Sequence, residues 1–234
     1  KIVSRAPLDG YGDGVDVRGD YLFAATGHHS RARPKAKPGD AGFGRGHGLE
    51  VLDISDPASP KPVARVNFPA LYNIRHDMWG VTVAGDYAFV ADTHNGVYVL
   101  NVRDPRSPRF AGHWKLPKQK DVSLAGFAGG LYPVTDHLYV AGGETDLHVL
   151  AATGLASIPA SVDENPVTIP DVPIAKSDQG FRVYRSKGQV YAVDFAGDKA
   201  IVACGSAGID VLQIDPESWF AYTFLPFKPD EILL

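Results

Sequence analysis

Four tandem copies of one strand-rich unit predict an all-β chain. Each copy ends in the same Val-Leu pair, at 51-52, 99-100, 149-150 and 211-212, and an aspartate recurs at one turn position, Asp20, Asp86, Asp136 and Asp198. Two copies then leave through a shared phrase, DPASP at 56 to 60 and DPRSP at 104 to 108, and the last gives DPES at 215 to 218. Four antiparallel strands repeated in this way make the blades of a β-propeller, with about four repeats in this chain, either complete or part of a larger propeller. A stacked solenoid is the competing arrangement.

The copies align without forcing. GVTVAGDYAFVADTHNGVYVL (80 to 100) lies over GLYPVTDHLYVAGGETDLHVL (130 to 150) and over AVDFAGDKAIVACGSAGIDVL (192 to 212) with no gap. GVDVRGDYLFAATG (14 to 27) fits the same frame and resumes at GLEVL (48 to 52), after an insertion that contains SRARPKAKPGDAGFGRG. The repeats span approximately 11-68, 77-116, 127-175 and 189-227, within a single domain of residues 1-234, and 30-46 is a basic loop in the first repeat.

Within a copy, the elements follow in order. A small residue, Gly14, Gly80, Gly130 or Ala192, opens the first strand, as expected where innermost strands crowd around a central axis. Alternating β-branched residues follow, and Gly-Asp makes the tight turn that joins paired antiparallel strands. The second strand (YAFVA, HLYVA) leads through a polar loop to a third (VYVLNV, LEVLDI) with period-two alternation. The Asp-Pro phrases must be turns, because proline fixes φ and cannot donate to a ladder. A fourth strand is expected in PVARVNF and PRFAGHWKL.

The pattern V-x-V-x-G-D-Y-x-F-V-A, then G-V-x-V-L-x-V-x-D-P-x-x-P, resembles the LVIVD repeat of bacterial and archaeal β-propeller proteins over roughly residues 11 to 216. In the third copy AATGLASIP replaces the Asp-Pro exit. The resemblance implies a propeller fold and an extracellular or periplasmic setting. It implies no single catalytic activity, since such propellers serve mainly as scaffolds and recognition platforms, and fold does not fix function.

Composition narrows the field further. Apolar residues make up 44% and charged residues 21%, with 25 Gly and 18 Pro, which suits a turn-rich globular chain. A net charge of -4 gives no general basic face for nucleic acid. Cys204 is the only cysteine, so no intramolecular disulfide or CxxC motif exists. No apolar run has the length of a membrane span. The opening KIVSRAPLDG has neither an initiator Met nor a signal-peptide core, as expected of a processed product or an excised piece.

KIVSRAPL also resembles the fourth-strand segment PVARVNFPAL, as if the chain entered at the end of a blade. The C-terminal WFAYTFLPF already reads as the outer strand of the last blade, which leaves the N-terminal strand without a place. Either the propeller is longer, or one terminal segment packs elsewhere.

Equivalent positions in the repeats share a face, which tests for chemistry. His28 and His94 occupy one slot after the second strand, where the later copies have Glu144 and Ser206; His76 and Asp77 precede the inner strand of the second copy, as Asp13 does in the first. His28, His76, His94 and Glu144 are therefore the candidate ligands for a transition metal, in the alternative reading of a metal-dependent hydrolase or oxidase. Their spacing matches no compact ligand motif, and no cofactor is expected in the leading reading. No GxSxG elbow occurs, and Cys204 is expected to be a small buried hydrophobe. The recurring aspartates, with Asp56 and Asp104, are expected to form turns.

Two segments are candidate contacts for other protein chains. The insertion carries Arg31, Arg33, Lys35, Lys37 and Arg45 and no Ile, Leu or Val, so it cannot build a core. The C-terminal window offers Trp219, Phe220, Tyr222 and Phe224. The expected function is a non-enzymatic scaffold that mediates protein-protein interaction or assembly.

Overall fold

In a computed structural model of the chain, residues 1–27, 32–33, 35–37, 40, 45–68, 78–92, 96–114, 129–134, 137–142, 147–151, 181–184, 186–214 and 223–225 are described. They form four antiparallel four-stranded sheets in which each strand pairs with its neighbours in sequence. The first blade comprises β1 (Tyr11–Arg18), β2 (Tyr21–Gly27), β3 (Gly48–Asp53) and β4 (Lys61–Asn67). The second comprises β5 (Met78–Ala84), β6 (Tyr87–Asp92), β7 (Gly96–Asn101) and β8 (Arg109–Trp114). The third has β9 (Gly130–Val134), β10 (His137–Ala141), β11 (Leu147–Ala151) and β12 (Phe181–Tyr184), and the fourth β13 (Ala192–Ala196), β14 (Lys199–Ala203), β15 (Ile209–Gln213) and β16 (Thr223–Leu225). The chain is a β-propeller.

The repeated aspartates do what a turn former should. Gly19, Gly85 and Gly197 adopt φ of 57°, 56° and 61°, the left-handed conformation that a two-residue hairpin turn requires. The carbonyls of Asp20, Asp86 and Asp198 then accept the amides of Ile54, Val102 and Ile214, each at 2.7 Å, so the turn also clips the end of the third strand. The Asp-Pro exits are equally alike. Oδ1 of Asp56 accepts the Ala58 amide and Oδ1 of Asp104 the Arg106 amide, both at 3.0 Å, in matching Asx turns.

Each of the first three blades packs on the next through an apolar seam. Phe23, Ala25, Leu49 and Val51 of the first blade meet Val81, Ala88, Val90, Tyr98 and Leu100 of the second. Phe89, Ala91, Val97, Val99 and Trp114 of the second meet Leu131, Leu138 and Val140 of the third. Tyr139, Ala141, Leu147 and Val149 of the third meet Val193, Ala200, Val202, Cys204 and Leu212 of the fourth. A blade between two neighbours buries both faces, which is why β6 and β7 read as nearly continuous apolar runs.

The inner strands β1, β5, β9 and β13 neighbour one another in that order. A Cβ added at Gly14 would lie 2.7 Å from Gly80 Cα and 3.2 Å from the Val81 nitrogen, so glycine is required where β1 meets β5. At Gly80 the nearest atom to such a Cβ is the Gly129 carbonyl oxygen at 3.6 Å, an ordinary contact. Gly14→Val should therefore lower the unfolding free energy by about 1–3 kcal/mol through overpacking. Gly80→Ala should stay within about 0.5 kcal/mol of the parent. Chemical denaturation of the two variants checks the difference.

The third repeat needs a correction. Its fourth strand is β12 at Phe181–Tyr184, beyond the expected limit of 175. This copy lacks the Asp-Pro exit that delivers β4 and β8 promptly, and residues 152 to 180 intervene before the sheet resumes. The C-terminal expectation holds, since β16 pairs with β15 and completes the last blade. The N-terminal segment joins no sheet. It runs along the first blade, where the Ser4 hydroxyl donates to the Pro57 carbonyl at 2.6 Å and the amides of Asp9 and Gly10 donate to Glu50 Oε1 at 2.9 and 3.1 Å.

Candidate functional site

A buried polar pair lies in the seam between the first two blades. His47 is the last residue before β3 and Asp92 the last of β6, so their side chains meet across blades at the rim that carries the β2–β3 loop. His47 Nε2 stands 2.9 Å from Asp92 Oδ2, and both side chains are buried. The Phe68 ring stands edge-on to His47 at 6.3 Å and leans on Tyr98 at 4.5 Å. His113, cross-strand from Tyr98, stacks on it with centroids 4.4 Å apart and planes 15° apart. Burial pushes the Tyr98 hydroxyl well above its ordinary pKa, and the neighbouring Asp92 carboxylate adds to the rise.

A histidine oriented by a carboxylate is the pair used in general-base catalysis. Here both side chains are buried in the seam. The pair acts as a bolt. It holds the end of the basic insertion against the second blade, and the Phe68 amide, which donates to the His47 carbonyl at 2.8 Å, holds it to the first.

A second pattern follows the repeat. One position of the third strand carries a polar-bearing side chain in every blade: Glu50, Tyr98, His148 and Asp210. Glu50 accepts Arg65 Nη1 at 2.6 Å as well as the two N-terminal amides. Asp210 Oδ2 accepts the Tyr184 hydroxyl at 2.8 Å and the Cys204 thiol at 3.1 Å, so it ties the third blade to the fourth. Burial raises the Cys204 pKa, with Asp210 adding to the shift, and the sulfur lies in the core between those blades. Asp210 and Tyr98 thus reach a neighbouring blade, whereas Glu50 ties the N-terminal segment to the first. Among the described residues no three His, Cys, Asp or Glu stand together as a metal site would need.

His28, His76, His94, Glu144 and Asp77 lie outside the described residues, as do Arg31, Trp219, Phe220 and Tyr222. Arg33, Lys35, Lys37 and Arg45 are described and exposed. Phe224 lies in β16, opposite Leu212. The His47–Asp92 bolt was not read from the sequence. Its one signal was that His47 directly precedes a third strand while Asp92 takes the slot held by Thr26, Gly142 and Cys204 in the other copies.

The two blades joined by this bolt contain the segments, residues 44–67 and 77–115, that match the family description LVIVD repeat. These two segments are similar to the LVIVD repeat. The first LVIVD segment covers β3, β4 and the end of the basic insertion; the second covers the whole second blade. No curated protein matches the chain. Among solved structures, the computationally designed Ika4 protein is similar in fold, with a TM-score of 0.55 at 9% identity over 92% of this chain and 98% of that one. The N-terminal domain of Nup159 gives a TM-score of 0.49 at 12% identity over 92% of this chain, which spans 44% of that structure's length. Among the described residues no helix is long and apolar enough to cross a membrane.

Proposed function

We propose that this LVIVD-repeat propeller is a non-enzymatic scaffold, extracellular or periplasmic, whose basic insertion recruits an acidic protein chain. One observation carries the reading: Arg33, Lys35, Lys37 and Arg45 are all exposed on a segment whose C-terminal end leads directly into the buried His47–Asp92 pair. Arg45 stands two residues before the buried His47, so at least this end of the segment is anchored to the propeller, which lowers the entropy lost on docking there. The chain's net charge is -4, so this local excess of cations gives a partner an orientation.

Exposed charges are screened by salt over about 8–10 Å, so binding should be strong at low ionic strength and weak above physiological salt. A polyglutamate peptide is the probe. The parent should bind it at low salt in a titration, and Arg33→Glu/Lys35→Glu/Lys37→Glu should reduce affinity by at least about tenfold with an unchanged melting temperature. Equal affinity of parent and variant would rule out the segment as the contact.

A further inference from the structure

The repeat makes every blade face comparable with its counterparts, and two faces stand out. On the inner strand, Val15, Val81, Leu131 and Val193 occupy the same register position, one residue after the small residue that opens each copy. Val81, Leu131 and Val193 are 8%, 9% and 3% exposed, because each packs against the preceding blade. Val15 is 63% exposed, and Val17 beside it 52%. The outer part of that face is covered by the N-terminal segment through Glu50; the inner part, around Val15 and Val17, is open.

The fourth blade shows the converse. Leu49, Val97, Leu147 and Ile209 share a third-strand position that faces the following blade. The first three are fully buried, whereas Ile209 is 40% exposed, with Ile201 and Val211 half-buried around it. A polar signature accompanies the apolar one. Asp16 and Asp194 hold one slot, and each accepts the next residue's amide on Oδ1, at 2.7 and 2.8 Å. The other oxygen of Asp16 reaches the following blade and accepts the Val83 amide at 2.6 Å. Asp194 carries the same acceptor on an exposed edge. Among the described residues three apolar seams join four blades, and none joins the fourth to the first.

The open inner part of the first-blade face and the open face of the fourth blade are thus counterparts of surfaces that meet in the three seams already made. We propose that two copies of this chain associate head to tail, the fourth blade of each seated on the inner part of the first-blade face of the other. The contact is heterologous, and two copies make a ring of eight blades, within the four to eight of ordinary closed propellers, so the assembly closes at a dimer. Ile201, Ile209 and Val211 of one copy cover Val15 and Val17 of its partner, with Asp194 as acceptor for an inner-strand amide. The inference stands on blade register and not on the basic insertion.

Sedimentation and native mass spectrometry of the full chain test it. The parent should run at twice the chain mass at micromolar concentration. Val15→Asp and Ile209→Asp should each be monomeric, with the melting profile of a folded monomer. An equimolar mixture of the two variants should regain a dimer that contains one copy of each, because one seam between them is unaltered. Should an aspartate variant fail to fold, Val15→Thr and Ile209→Thr should weaken the dimer at least tenfold, with the same recovery on mixing. A monomeric parent, an open-ended ladder of sizes, or no recovery on mixing would overturn the proposal. Arg33→Glu/Lys35→Glu/Lys37→Glu should dimerise like the parent, so failure of the recruiting role and failure of self-association are separate results.

Discussion

Asp92→Ala is expected to lower the unfolding free energy by about 3 kcal/mol, because it removes the 2.9 Å hydrogen bond from a polar group that stays buried. In a chain of this length that corresponds to a fall in melting temperature of roughly 6–12 °C. His47→Ala should cost a similar amount, since it takes the same hydrogen bond from the buried Asp92 side chain. The two losses should not add: His47→Leu/Asp92→Leu removes both polar groups and should be less destabilised than the sum of the single changes. Urea denaturation of the two single variants and the double variant measures the coupling. Full additivity would mean that the 2.9 Å contact contributes nothing to stability.

Trp114→Ala should be at least as damaging, with a loss of about 3–5 kcal/mol. Trp114 is fully buried between the second and third blades and stacks on Phe89, with centroids 6.0 Å apart and planes 6° apart. Deleting the ring leaves a cavity lined by residues of two sheets, which cannot collapse without moving one blade against the other. The indole N–H has no hydrogen-bond partner among the described residues. Trp114→Phe therefore keeps the stack and removes a buried, unsatisfied donor, so its loss should be less than half that of the alanine variant. Loss of equal size in both variants, read by the same denaturation, would refute this account of the seam.

Much of this structure was legible because it repeats. The turns at Asp20, Asp86 and Asp198, the Asx turns at Asp56 and Asp104, and the pairing of successive strands are local, and several copies reported each of them. Where a copy lost its punctuation, reading failed: with no Asp-Pro exit after β11, nothing in the chain marked Phe181–Tyr184 as the outer strand of the third blade. The burial of Cys204 was readable from its place after a second strand. The bolt was not, because His47 and Asp92 stand 45 residues apart in different blades and neither has a chemically similar residue in its slot elsewhere. Open faces are harder still. Val15 and Val81 look alike in sequence, and only the packing of whole blades shows that one is covered and the other is not.

The carbonyl clip at each Gly-Asp turn has a consequence for how the molecule can change. It fixes the first, second and third strands of a blade at one rim, and the Asx turn fixes the third to the fourth there in the first two blades. At the opposite rim the described residues show no such repeated clip, and there the first blade accommodates a long insertion between β2 and β3 with its strand register intact. Lengthening a loop whose ends are already anchored adds little entropic cost, about 0.6 kcal/mol for each doubling. The propeller thus has a conservative base and an adaptable crown, so recognition sequences grafted into the β2–β3 connections should leave the blades beneath them intact.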